Sequence, residues 1–256
     1  MCIAVVKPGG VAMPSEDILK NCFYSNPDGA GIMLVRDKQV LIRKGYMTFA
    51  DFMAALTTLD IGEHELCGLH FRITTAGGTS KANCHPFPLS QVAGDLKNIC
   101  LETDAAMMHN GIFGPGRQDL SDTMLFVMDH AADPFIRRKI FTDKGCHEYL
   151  RRLTHGSRVC FFSAKYGYKL LGDWRKEAGV YYSNTSYLYS SFEWPFEEEE
   201  SPACPTCGAL PGCGELIDGL DGCHDEFWLC SECSQGFDND GKAYDAWINC
   251  YGDEKE

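Results

Sequence analysis

The sequence predicts an α+β protein, a sheet-and-helix domain followed by a small cysteine-rich module. Three observations lead there. Across the first 190 residues, short β-type runs alternate with amphipathic stretches at helical spacing, the pattern of a sheet buried against helices. Seven of the 14 cysteines crowd into residues 204–250. The acidity gathers at the same end: from Glu193 onward there are 17 acidic and 2 basic side chains, against 19 and 21 before it.

Ile3 to Val6 reads as the first strand. Ser15 to Tyr24 begins with a serine, carries two acids in its first turn and then spaces apolar residues helically, which are helix-start signals. Ala30 to Arg43 reads as a hairpin turning at Asp37 and Lys38. Residues 48–59 form a second helix, with Thr48 as cap and Phe49, Phe52, Met53 and Leu56 on one face. Leu66 to Arg72 returns to strand, and Ile99 to His109 reads as two strands. Ser121 to His130 reads as a capped helix with Leu125, Phe126 and Met128 as its apolar residues. Val159 to Ser163, Tyr168 to Leu171 and Val180 to Tyr182 supply further strands.

Near residue 195 the character changes. Trp194-Pro195-Phe196, four consecutive glutamates, Ser201 and Pro202 make a linker, because like charges repel and proline restricts the residue before it. The expected organisation is a domain over residues 1–194, an acidic linker over 195–203 and a cysteine-rich module over 204–256.

No stretch approaches the roughly 18 apolar residues needed to cross a bilayer, and the first twenty residues lack the layout of a secretion signal. A cytoplasmic protein with reduced thiols and no membrane contact is expected. Cys22, Cys67, Cys84, Cys100, Cys146 and Cys160 lie mostly in apolar sequence and read as buried free thiols. The acidic tail argues against direct binding to nucleic acid, whose phosphates it would repel.

Cys2 is the sharpest chemical signal. Methionine aminopeptidases remove Met1 before a small side chain, which would leave Cys2 with both a thiol and a free α-amine. That amine, with an ordinary pKa of about 7.7 to 8.0, suits the task of taking the thiol proton near neutral pH. One residue would then supply nucleophile and base. A cysteine at position 2 also arises by chance, so the reading needs company.

Company comes from five strings: NPDGAGI (Asn26 to Ile32), FRITTAGG (Phe71 to Gly78) followed by NCHPF (Asn83 to Phe87), MHNGIF (Met108 to Phe113) and LSDT (Leu120 to Thr123). With Cys2, in this order and at similar spacing, they resemble the class II glutamine amidotransferases of the N-terminal nucleophile hydrolase superfamily, over roughly residues 2 to 190. GVYYSNTSY (Gly179 to Tyr187) resembles the close of that fold; as plain sequence it is a strand leading into a polar turn.

The resemblance implies a four-layer αββα sandwich and a glutaminase. Arg72 would clamp the α-carboxylate of L-glutamine through its planar fork. Asp122 would hold the α-ammonium, and Asn110 with the backbone N–H of Gly111 would bind the oxyanion that forms when Cys2 attacks the side-chain amide. Thr75 lies in a loop that would line the pocket. The family's arginine is usually followed by an aromatic residue, whereas this chain has Ile73, and pocket detail departs there.

Each residue also has a plainer reading. Arg72 is at a strand end, where a solvated charge is common; Asn110-Gly111 is a frequent turn pair; Ser121-Asp122 caps helices. His85 and His109 suit loop-fixing hydrogen bonds better than catalysis. Two other functions stay open: an amidase for a different amide, or a zinc-containing binding protein with a retired site.

Cys204-Pro-Thr-Cys207 and Cys230-Ser-Glu-Cys233 form two CxxC pairs separated by 22 residues, near the spacing of a zinc ribbon. Four thiolates would fill the tetrahedral sphere of a structural Zn²⁺ and help a glycine-rich segment to fold. Cys213, Cys223, His224 and Cys250 are alternative ligands. The roughly 60 residues beyond the main domain are too few for the synthetase or transferase partner that familiar relatives carry, so the ammonia acceptor is expected on a separate protein. A compact domain with a cysteine-rich tail also resembles bacteriophage amidotransferases, some linked to modified nucleobases or nucleotide precursors, which would place it in a host cytoplasm.

Overall fold

The computed structural model describes residues 2–74, 79–117 and 120–188, and the backbone of two strands at Gly214–Ile217 and Phe227–Cys230. The chain divides into two compact units, residues 1–192 and 193–256. The first is an α+β fold of two antiparallel sheets with six helices.

Its elements run β1 (Ile3–Lys7), α1 (Glu16–Tyr24), β2 (Ala30–Arg36), β3 (Gln39–Tyr46), α2 (Phe49–Leu59), β4 (Cys67–Phe71), β5 (Phe87–Pro88), α3 (Ala93–Lys97), β6 (Cys100–Thr103), β7 (Ala105–Asn110), α4 (Asp122–Phe126), α5 (Pro134–Lys139), α6 (Lys144–Leu153), β8 (Arg158–Ser163), β9 (Gly167–Leu171), β10 (Arg175–Glu177) and β11 (Val180–Tyr182). One sheet has the order β10-β11-β1-β4-β2-β3-β6 and the other β5-β7-β8-β9. In the second unit, β12 (Gly214–Ile217) pairs antiparallel with β13 (Phe227–Cys230).

The helix caps follow the sequence signals. Ser15 accepts from the N–H of Ile18 and Thr48 from that of Asp51, so each hydroxyl satisfies a donor that the first turn leaves free. The β2–β3 turn does fall on Asp37 and Lys38, both with positive φ, the conformation that matches the twist of a two-residue hairpin.

Alternation along the strands builds three cores. Ile3 and Val5 on β1 join α1 and α2 residues such as Leu19, Phe23 and Phe52. Ala4 and Val6, one residue out of phase, meet Ala106 and Met108 of β7 and Cys160 and Phe162 of β8. Ala105 and Met107 of β7, with Val159 and Phe161 of β8, pack on Met124, Phe126, Ile140 and Leu150 from the later helices. Each strand thus shows one row of side chains to the opposite sheet and the other row to helices. Burying a large apolar side chain contributes roughly 1.5 to 3 kcal/mol, so the cost of misplacing one row would be large.

The two strands read from Ile99 to His109 are present and enter different sheets: β6 edges the larger by pairing with β3, and β7 pairs with β5 and β8 in the smaller. Three local expectations need correction. The helix expected over 121–130 is regular only to Phe126, then widens into a π-turn over Val127–Ala131. Its buried positions are Thr123, Met124, Phe126, Val127 and Ala131, so Leu125 is not on the core face. Cys100 is exposed on β6, while Cys22, Cys67, Cys84, Cys146 and Cys160 are buried free thiols. No helix among the described residues is long and apolar enough to cross a membrane.

Candidate active site

The site starts from the register between β1 and β4. Ile3 stands opposite Phe71 and Ala4 opposite His70, and Cys2 and Arg72 are the next residues beyond the end of that ladder. Arg72 is held in place by its backbone, whose N–H donates to the Gly29 carbonyl at 2.8 Å and whose carbonyl accepts from Asp28 N–H at 2.9 Å. The Cys2 thiol donates to the Ile73 carbonyl and accepts from the Ile73 N–H, both at 3.4 Å.

Strand alternation gives these side chains a common direction. Ala4 and Val6 belong to the core between the sheets, and Cys2 continues that row two residues out. On β4, Cys67, Leu69 and Phe71 belong to the helix-facing core, which leaves His70 and Arg72 on the inter-sheet side. On β7, Ala106 and Met108 define the inter-sheet row and Asn110 continues it. Cys2, Arg72 and Asn110 therefore extend facing rows of two sheets.

Arg72 is only 5% exposed, which overturns its plainer reading as a solvated strand-end charge. Burial pushes the Cys2 thiol above its ordinary pKa; the Ile73 N–H and then the Arg72 guanidinium act in the opposite direction by stabilising the thiolate.

Glycines make the room. A Cβ on Gly31 would overlap the His85 carbonyl, and one on Gly29 would lie 2.6 Å from the Cys84 thiol, so the loop carrying Cys84 and His85 packs directly against the β2 backbone.

Asn110 is joined to β1 through a residue that sequence reading did not single out. Ser183 Oγ lies 2.9 Å from Asn110 Nδ2 and accepts the Ala4 N–H at 2.8 Å. Its neighbour Asn184 donates Nδ2–H to the Cys2 carbonyl at 2.7 Å. A polar pair directly after an apolar strand was the available signal, read only as a turn. Gly111 has φ of 153°, and a Cβ there would overlap the Ser157 hydroxyl.

Asp122 occupies the first turn of α4, where Ser121 caps by accepting the Met124 N–H. Its carboxylate accepts from Phe113 N–H at 2.8 Å and Thr123 N–H at 2.7 Å, and from the Thr123 hydroxyl at 3.2 Å. The helix-cap reading thus holds for Ser121, while Asp122 spends its oxygens on the loop that follows Asn110 and Gly111. Those bonds fix the Gly111–Phe113 segment, and an ionised carboxylate retains lone pairs for a cationic ligand.

Behind these groups lie three buried histidines. His70 and His85 rings sit 4.1 Å apart, and His109 stacks on Phe113 at 3.7 Å with its Nδ1 3.0 Å from the Thr123 hydroxyl. Burial pushes His70 and His109 down to about 3 and His85 well below the usual range, so all three are neutral near pH 7. Among the described residues no group of histidine, cysteine, aspartate or glutamate side chains could hold a metal ion.

Thr75, and the side chains of Cys204, Cys207, Cys230 and Cys233, lie outside the described residues, as do Met1 and the expected linker. The backbone of Cys230 closes β13, opposite Gly214. Neither a family model nor a curated protein matches this sequence, so the reading of the site rests on its own residues and geometry.

Proposed function

We propose that the protein hydrolyses the side-chain amide of L-glutamine with Cys2 as N-terminal nucleophile, releasing ammonia for an acceptor on another protein. The observation that carries this is the Cys2 thiol hydrogen-bonded to the Ile73 backbone just beyond β4 and within the influence of the buried Arg72 charge, with Asn110 tied to β1 through Ser183. A thiol, a buried cationic fork and an amide on facing rows suit an amino acid whose amide is attacked while its carboxylate is held. The succession of helices, seven-stranded sheet, four-stranded sheet and helices supports reading the fold as the αββα sandwich of N-terminal nucleophile hydrolases.

In this mechanism removal of Met1 frees the Cys2 amine, which accepts the thiol proton. The thiolate forms a bond to the amide carbon, and the developing oxyanion takes hydrogen bonds from Asn110 and the Gly111 N–H. Each such donor lowers the barrier by about 3 to 4 kcal/mol. The proton passes from the Cys2 ammonium to the departing nitrogen, the C–N bond breaks and ammonia leaves a γ-glutamyl thioester. Water then adds to the thioester carbon and gives a proton to the Cys2 amine, the C–S bond breaks, glutamate leaves, and the amine returns the proton to the thiolate. Arg72 holds the α-carboxylate and Asp122 the α-ammonium.

For the second unit we propose a structural Zn²⁺ held by Cys204, Cys207, Cys230 and Cys233. The donor set fits: two CxxC pairs supply four soft thiolates, which suit zinc and leave no open position for substrate. The acidic unit would serve as a docking element for the acceptor-site protein.

The deciding experiment combines intact mass with glutamate release from glutamine for wild type and Cys2→Ala. The reading expects loss of Met1 and activity abolished by the substitution. Glutamate release unchanged in Cys2→Ala would overturn the mechanism.

A further inference from the structure

Ser183 is 2% exposed, and its hydroxyl stands between β1 and Asn110. Its backbone N–H donates to the Ala4 carbonyl at 2.9 Å while its Oγ accepts the Ala4 N–H, so the residue is locked to the strand that carries Cys2. The Asn110 amide is 2.9 Å away, and its two orientations use the same atom positions. With nitrogen toward Ser183, that Oγ accepts twice and Asn110 Oδ1 is buried with no hydrogen-bond partner among the described residues. With the amide turned, Ser183 accepts from Ala4 and donates its own proton to Asn110 Oδ1. The carbonyl is then satisfied, and Nδ2 takes the buried position that has no acceptor among the described residues, which leaves it as a free donor for a charge that develops beside it.

We infer that Ser183 is a positioning residue for the proposed glutaminase reaction: its hydroxyl holds the Asn110 carbonyl so that the amide N–H group, not the oxygen, meets the oxyanion. An acceptor in that place would repel the developing charge, so the orientation decides whether Asn110 assists the reaction or opposes it. The inference rests on the glutaminase reading for its catalytic consequence. The amide orientation stands apart from it.

A double-mutant cycle tests the consequence. Ser183→Ala is expected to lower kcat for glutamine hydrolysis on the order of 10- to 100-fold with KM changed less than about 3-fold, short of the roughly 10²- to 10³-fold for removing an oxyanion donor outright. In an Asn110→Ala background the same substitution should change kcat less than about 2-fold, because a residue acting through Asn110 has nothing left to orient. Fully additive losses, or an unchanged kcat in Ser183→Ala, overturn the inference.

Ser183→Ala also removes a partner of Ala4 N–H, so the folded fraction is measured for every variant and kcat is expressed per folded molecule. The orientation is read on unsubstituted protein without substrate, from nuclear Overhauser contacts of the Asn110 side-chain amide protons. Contacts from these protons to the Ser183 Hβ atoms would mean nitrogen faces Ser183 and the inference fails. Their absence, with contacts to Cys2 Hβ instead, supports it. Inactive wild type with the amide turned sinks the glutaminase reading alone.

Discussion

His70 on β4 donates its Nε2–H to the carbonyl of His109 on β7 at 2.9 Å, a buried bond between the two sheets. It fixes the His70 tautomer, leaving Nδ1 as a lone pair with no hydrogen-bond partner among the described residues. The Thr123 hydroxyl donates to Asp122, so it accepts from His109 Nδ1–H and fixes the second tautomer too. Both rings are held neutral, and His70 lies near enough to Arg72 for that charge to disfavour a second cation.

This arrangement predicts acid sensitivity with a defined window. The folded values of His70 and His109 are near 3, while an unfolded histidine titrates near 6.5. Between those values the unfolded chain binds protons that the folded chain does not, so stability is complete above about pH 6.5 and falls as pH drops toward 3. Each such histidine contributes a slope of up to about 1.4 kcal/mol per pH unit inside the window. Urea unfolding at pH 7.5 and 5.5 measures it. His70→Asn should flatten the dependence, and an identical slope in that variant would count against the assignment.

Gly111→Ala should be costly. A methyl there would overlap the Ser157 hydroxyl and lie 2.8 Å from His109 Nε2, at a φ of 153° that side chains avoid. Overpacking of this kind costs typically 1 to 3 kcal/mol. It would also displace the proposed oxyanion N–H, so glutamine turnover should fall further than the folded fraction does. Removing the obstruction with Ser157→Gly should recover part of the stability, measured by thermal unfolding of the single and double variants.

Local signals carried much of this fold. Ser15 and Thr48 cap the helices they preface, and Asp37-Lys38 turns the hairpin, because each works through bonds within a few residues. What local pattern could not give was partner choice: β6 and β7 are adjacent in sequence yet join different sheets, decided by long-range packing of Ala106 and Met108. At the site, Cys2, Arg72 and Asn110 were named from the chain, and strand register supplies their relation. Ser183 and Asn184 escaped notice because a polar turn looks alike whether it faces solvent or clamps the residue 182 positions earlier in sequence. The divided role of Asp122 was hidden for the same reason, since its bond to Phe113 spans a loop.

The zinc proposal makes a claim that activity assays need not enter. Protein purified without chelator should contain one zinc per chain by elemental analysis. Cys207→Ser or Cys233→Ser should reduce that content, and treatment with chelator should release it. Because thiolates bind the metal and thiols do not, retention should weaken as pH falls. If the four proposed ligands can be replaced with zinc content intact, the metal is held by Cys213, Cys223, His224 or Cys250, or is absent from the module.

Arg72 is asked to do two things, and substitutions can separate them. Lysine keeps the charge that favours the Cys2 thiolate but lacks the planar fork for a carboxylate. Arg72→Lys should therefore raise KM for glutamine on the order of 10-fold or more while leaving the pH dependence of Cys2 alkylation near that of wild type. Arg72→Gln removes the charge, and with it one of the influences that oppose the burial-driven rise of the thiol, so the alkylation profile should move to higher pH. Iodoacetamide kinetics across pH 6 to 10 read the thiolate, and steady-state glutamate release reads the fork. A profile that does not move in Arg72→Gln would mean the guanidinium is too far from Cys2 to assist it, and the site would lose the pairing on which its chemistry depends.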